Sequence, residues 1–310
     1  MNYLTLRNEF YKSIKISNFN IHKKPFMKKI LVTTDFSPAS KSAVRFAIHW
    51  ATHQKLSLVF ANVCHISMPV NQDEAFLEAY TKQFLAKTDE KLKIFIKEIY
   101  NDLKIDVIRI NTLTIEGIDP TASLLYYVTQ NPIFDCICIS TRGAGNLKKF
   151  LGTNTGNLIT KSEIPVMAIP SGYAGTNIDK VLYATDMNNF EEEVHQVISF
   201  AKPLKAKIEM VHFAWPSETF FDEATIVSPF KKHFKYGIEF QYQKHDAVHS
   251  LVQNLERQIA EKKPSVVVMF TKQERTFFQK LFLSSKSEEF SFKTKIPLLV
   301  FKKAEKDNKH

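Results

Sequence analysis

The chain is 310 residues long, 44% hydrophobic and 24% charged, which supplies a packed core and excludes collagen-like, low-complexity and disordered classes. Its net charge is +10, but residues 1–26 hold net +4 and residues 302–310 net +2, so most of the excess sits at the ends and nucleic acid is not an expected partner. Apolar runs stop at about half a dozen residues, far short of the ~20 that a bilayer helix needs, and no apolar leader opens the chain, so a soluble cytoplasmic protein without a membrane partner is expected.

Residues 1–26 are polar and aperiodic and are expected to be an extension outside the fold, ahead of a strand that begins at Met27. From there, runs that read as strands at 29–34, 56–63, 105–111, 135–140 and 165–169 alternate with helical patterns at 38–53, 73–100, 118–130 and 153–162. Ser37 followed by Pro38 reads as an N-cap and a first helical residue. Over 73–100, Phe76, Tyr80 and Phe84, then Leu92, Phe95, Ile96 and Ile99, recur at helical spacing and read as one core face. The runs 135–140 and 165–169 are apolar almost throughout, as strands covered on both faces are. Alternating strands and helices predict right-handed crossovers and a doubly wound parallel sheet.

The pattern then repeats. Lys29-Ile-Leu-Val-Thr-Thr-Asp35 returns as Lys180-Val-Leu-Tyr-Ala-Thr-Asp186. Asp135-Cys-Ile-Cys-Ile-Ser-Thr141 returns as Ser265-Val-Val-Val-Met-Phe-Thr271, and Ile164-Pro165-Val166 as Ile296-Pro297-Leu298. The expected organisation is an α/β domain at 27–171, a small polar linker at 172–177, a second, shorter α/β domain at 178–303 and a tail at 304–310. Each domain is expected to hold a five-stranded parallel sheet flanked by helices.

Glycine marks the candidate site. The chain has 8 glycines, and Gly143, Gly145, Gly152 and Gly156 fall in one short stretch after the fourth strand. Glycine lets backbone N–H groups approach an anion, and a helix N-terminus adds unpaired N–H groups and a favourable dipole. Ser140, Arg142, Gly143 and Gly145, then Gly152, Thr153, Asn154 and Thr155, therefore read as a phosphate cradle; ordinary turns are the alternative. Thr33 and Asp35 close the first strand, where Asp35 is either a loop cap or an acceptor for a base or ribose. Val63 closes the second strand beside them, where main-chain groups could read an adenine edge.

In the second copy Asp186 survives, but residues 272–282 contain no glycine, so one nucleotide site per chain is expected. Cys64, Cys136 and Cys138 lack ligand spacing and read as reduced thiols. His49 with His53, and His245 with His249, share helical faces without a third ligand, so no metal site is expected. No nucleophile motif occurs, and no catalytic residue is assigned.

Taken together, Ile30-Leu-Val-Thr-Thr-Asp35-Phe-Ser-Pro38, the Gly143 and Gly152-Thr153 loop and the closing Ile164-Pro-Val-Met-Ala-Ile-Pro170 resemble the universal stress protein family in a tandem two-domain form. The resemblance implies two Rossmann-like domains of the adenine nucleotide alpha hydrolase-like kind. It implies ATP, with Mg²⁺, as cofactor: Gly143 matches the family's second glycine, Gly152-Thr153 its closing pair, and Asp35 and Val63 the adenosine end. It also implies that the two fifth strands pair antiparallel into an intramolecular pseudo-dimer, with a homodimer and a protein partner as further associations. The sequence departs from the family at Ser140, where the first glycine falls, at Thr33, where many members have proline, and in a loop one residue shorter. An ATP-binding stress-response module is the leading function; a nucleotide-free interaction scaffold and a slow ATP hydrolase are the alternatives.

Overall fold

The computed structural model describes residues 27–107, 109–141, 153–187, 190–214, 236–244, 251–271 and 295–303. The first half carries β1 (Lys29–Thr33), α1 (Lys41–Gln54), β2 (Ser57–Cys64), α2 (Glu74–Leu103), β3 (Thr112–Glu116), α3 (Pro120–Gln130), β4 (Cys136–Thr141), α4 (Thr153–Lys161) and β5 (Val166–Pro170). The second carries β6 (Lys180–Thr185), α5 (Phe190–Leu204), β7 (Lys207–Ala214), β8 (Ile238–Lys244), α6 (Leu251–Lys262), β9 (Val266–Thr271) and β10 (Leu298–Lys302). The proposed extension 1–26 and tail 304–310 lie outside the described residues.

All ten strands join one sheet in the order β3-β2-β1-β4-β5-β10-β9-β6-β7-β8. Pairing is parallel within each half. The halves meet where β5 and β10 run antiparallel, with Val166, Met167 and Ala168 opposite Val300, Leu299 and Leu298. Renumbered within its own half, each strand order is the same, 3-2-1-4-5, and the second half is laid in reverse beside the first.

Burial follows the strand period. Ile30 and Val32 face a core shared with Phe46, Trp50 and Ile96, while Leu31 faces the opposite core with Leu124 and Leu158. Cys136, Ile137 and Cys138 of β4 are fully buried, as a central parallel strand requires. At the joint, α1 packs against α5: the Trp50 and Phe200 rings stand 6.0 Å apart, and Gln54 Nε2 donates to Pro203 O at 3.0 Å. The connection after β5 is tied down. Gly172 adopts φ 77°, its N–H donates to Ser42 Oγ at 2.8 Å, and the Tyr173 ring lies 6.0 Å from that of Phe46.

Two sequence expectations are corrected. The third strand is Thr112–Glu116 and not 105–111. α2 ends at Leu103 with Lys104 in the left-handed conformation, and Ile105 and Ile110 pack on the core without joining a ladder. Pairing starts only at Phe60 opposite Thr112. Ser37 does accept from Ser40 N–H at its hydroxyl (3.3 Å), as an N-cap would, and also at its carbonyl (3.1 Å), but residues 38–40 form a turn that leads into the helix, and α1 starts at Lys41 and not at Pro38.

Candidate functional site

β1 lies between β2 and β4, so its exit is the switch point of the first half, the crevice where open α/β sheets take ligands. The exit is held by backbone and side chain. Thr34 N–H donates to Ala61 O at 2.9 Å, and Asn62 Nδ2 donates to Thr34 O at 2.8 Å. Phe36 then adopts φ 64°, a left-handed conformation that is strained for an aromatic residue. Its N–H donates to Thr34 Oγ1 at 3.1 Å. Its ring meets Phe95 of α2 edge-on at 5.5 Å, with Lys91 Nζ 4.4 Å from its centre.

This reversal presents Asp35 at the crevice mouth, where it is exposed. Ser37 donates to Asp35 Oδ1 through its N–H at 3.0 Å and its hydroxyl at 2.5 Å. Partial burial pushes the carboxyl pKa up, but the hydrogen bonds from Ser37 and Ser40 outweigh it, and the net position is below the ordinary value. Asp35 is therefore a standing anion with acceptor capacity facing the crevice.

The crevice is a cavity of about 290 Å³, at the small end of ligand pockets. It brings together Thr33, Asp35, Val63, Ser140, Asn154 and Thr155, six of the eleven residues expected from the sequence. Thr153 opens α4 beside them. Arg142, Gly143, Gly145 and Gly152 lie outside the described residues.

Ser140 has one proton and spends it on Ala39 O at 2.6 Å, so toward a ligand it can only accept. The sequence reading missed Pro120, Thr121 and Leu124 of α3, which also line the cavity. Their signal was Asp119-Pro120, a helix start, and Thr121 Oγ1 donates to Asn154 O at 3.4 Å, drawing the two helix starts together. Asp119 accepts from Thr121 N–H and Ala122 N–H at 2.8 and 3.2 Å, and neither helix has an acidic residue in its first turn. The start of a helix favours an anion, and that of α4 lies at the cavity. Leu124, Ile139 and Leu158 supply an apolar wall.

The second half repeats the exit turn. Met187 has φ 62°, its N–H donates to Thr185 Oγ1 at 3.0 Å, and His212 Nδ1 lies 3.0 Å from Thr185 O, where Asn62 stands in the first half. Asp186, however, is in contact with Lys303 Nζ at 2.6 Å. The glycine-free loop 272–282 and the pair His245 and His249 lie outside the described residues. Among the described residues, no cluster of three or more His, Cys, Asp or Glu is arranged to hold a metal, and no helix is long and apolar enough to cross a membrane.

The profile of the universal stress protein family matches residues 27–170. The chain is similar to a universal stress protein of Archaeoglobus fulgidus DSM 4304, with TM-score 0.61 and 13% identity over 91% of this chain and 100% of that one. A protein put forward as a universal stress protein in Pseudomonas aeruginosa UCBPP-PA14 matches with TM-score 0.53 and 12% identity over 89% and 93% of the two chains. A functionally unknown protein of Pseudomonas aeruginosa PAO1 matches with TM-score 0.52 and 13% identity over 89% and 92%. At these identities the likeness is one of fold. No curated protein matches the chain.

Proposed function

Since residues 27–170 belong to the universal stress protein family, we propose that the first half is a regulatory module of the stress response, in the cytoplasm, that holds one adenine nucleotide. The nucleotide is ATP, with Mg²⁺ on its phosphates. The division follows the sequence repeat, with a ligand-binding domain at 27–171, a linker at 172–177 and a second domain without a nucleotide at 178–303.

The observation that carries this reading is the cavity at the β1 exit, anionic at one side and flanked by the start of α4 at the other. A nucleotide has the matching polarity. Asp35 would accept from ribose hydroxyls, Val63, Leu124 and Ile139 would give the base an apolar wall, and Asn154 and Thr155 at the start of α4 would hold the phosphates. Gly143 and Gly152, by their lack of a side chain in the sequence, would let backbone N–H groups approach the phosphates. Asp35 is the acidic residue in the lining and stands at the adenosine end, away from a terminal phosphate. Binding is therefore favoured over turnover. A nucleotide-free scaffold is favoured by one observation: the Ser140 Cβ and its bond to Ala39 O occupy the place of the family's first glycine.

Calorimetric titration of the full chain with ATP tests the reading. One equivalent is expected, Gly143→Val with Gly152→Val abolishes it, and Asp35→Ala weakens it by roughly 10–150-fold, the worth of a hydrogen bond to a charged group. No binding by a folded chain selects the scaffold, and conversion of bound ATP to ADP over time selects the hydrolase.

A further inference from the structure

The exit turns of the two halves match in backbone, yet they treat their acidic residues differently. Asp35 is exposed and is bonded by its neighbour Ser37. Asp186 is met by an ammonium group from the far end of the half: Lys303 Nζ lies 2.6 Å from Asp186 Oδ1 and 2.9 Å from Glu193 Oε1. Lys303 is 4% exposed and Glu193 2%, and such residues are almost never fully buried unless paired.

The lysine is placed by backbone, since its N–H donates to Thr271 O at 2.8 Å and continues the ladder one residue beyond β10. The Tyr183 hydroxyl donates to the other oxygen of Glu193. Burial raises the Glu193 carboxyl pKa and Lys303 opposes that shift; the net direction is up.

The first half has no such group. Aligned on Lys29 with Lys180 and on Pro165 with Pro297, Glu193 corresponds to Ser42 and Lys303 to Ser171. There the Ser42 hydroxyl accepts the Gly172 N–H, a neutral bond. The charged cluster stands in one copy only, at an acidic position both copies keep.

We propose that Lys303 is an internal ligand of the second half: its ammonium occupies the acceptor Asp186 as a bound molecule's donor would, so this half holds its exit turn closed without a ligand. The chain thus carries one site open to solution and one filled by itself. The comparison with Asp35 rests on the nucleotide reading above, whereas the capture of Asp186 does not.

Removing the lysine leaves two carboxylates around an ammonium-sized gap, which gives a test by chemical rescue in the full chain. Lys303→Ala lowers the thermal midpoint by roughly 6–20 °C, as breaking a buried pair in a chain of this size should. Ethylammonium chloride restores much of the loss, while tetramethylammonium chloride at equal ionic strength does not, and the parent responds to neither. If Lys303→Ala does not fold, Lys303→Ala with Glu193→Gln carries the test, since it keeps Asp186 and removes one buried carboxylate. Its midpoint should rise with ethylammonium, and adding Asp186→Asn should remove the response. An unchanged midpoint in Lys303→Ala, equal rescue by both salts, or a response that persists without Asp186 would overturn the proposal. Titrating the parent with ATP reports on the nucleotide reading separately, because the ammonium response needs no nucleotide.

Discussion

At the scale of single residues, environment decides chemistry more than identity does. Cys136 and Cys138 are fully buried, and burial pushes both thiols far above the ordinary range. Cys64 is half-buried, and its thiol is raised by burial and then by the charge of Glu116. In the native chain a maleimide should therefore label Cys64 alone, slowly at neutral pH and faster as pH rises. Labelling of Cys136 at a matching rate, seen by peptide mass spectrometry, would contradict this placement. Asp35 gives a second pH statement. Its folded pKa lies below the unfolded value, so its small contribution is present above the ordinary carboxylate range and is lost as pH falls through the lowered value. Much of the site was legible residue by residue, because strand ends and helix starts carry their own signals at Thr33, Asp35, Ser140, Asn154 and Thr155. Leu124 was not, because α3 reaches the cavity only through tertiary packing. The glycine census also passed over Gly117, where a Cβ would meet Ser123 Oγ at 1.9 Å and Ser123 Cβ at 2.8 Å. That glycine lets the first turn of α3 pack against the chain leaving β3.

At the scale of elements, periodicity reported which helices are amphipathic but not what lies beneath them. The pattern over 73–100 read as one core face, and α2 indeed runs from Glu74 to Leu103. Only Leu92, Ile96 and Ile99 of it are buried, all in its C-terminal half, while Phe76 is 45% exposed. The helix is ~45 Å long, and its first turns lack the packing that its last turns have. Ile96→Ala should cost about 2–5 kcal/mol in denaturant unfolding and Phe76→Ala at most about 0.5 kcal/mol. Equal losses would mean that the first turns are covered. The third strand was misplaced for a related reason. Ile105 and Ile110 are partly buried residues of a connection packed on the core, and an apolar run does not tell a ladder from a packed loop.

At the scale of the whole molecule, the repeat in the sequence became one continuous sheet, and the joint between β5 and β10 covers an edge that each half would otherwise expose. Residues 27–171 expressed alone should therefore pair through the bared β5 edge and sediment as a dimer, and a clean monomer would show that this edge is protected in another way. The joint also sets a direction. Because β5 and β10 run antiparallel, the strand exits of the two halves point to opposite poles, and Lys302 at the end of β10 accordingly reaches Glu163 at the approach to β5. The cavity at Asp35 opens at one pole and the Lys303 cluster lies toward the other. A partner that reads nucleotide by leaning over the first pole leaves the second uncovered. On the nucleotide reading proposed above, the two poles would differ: the one at Asp35 would change with its ligand, and the one at Asp186 is met by the chain's own Lys303.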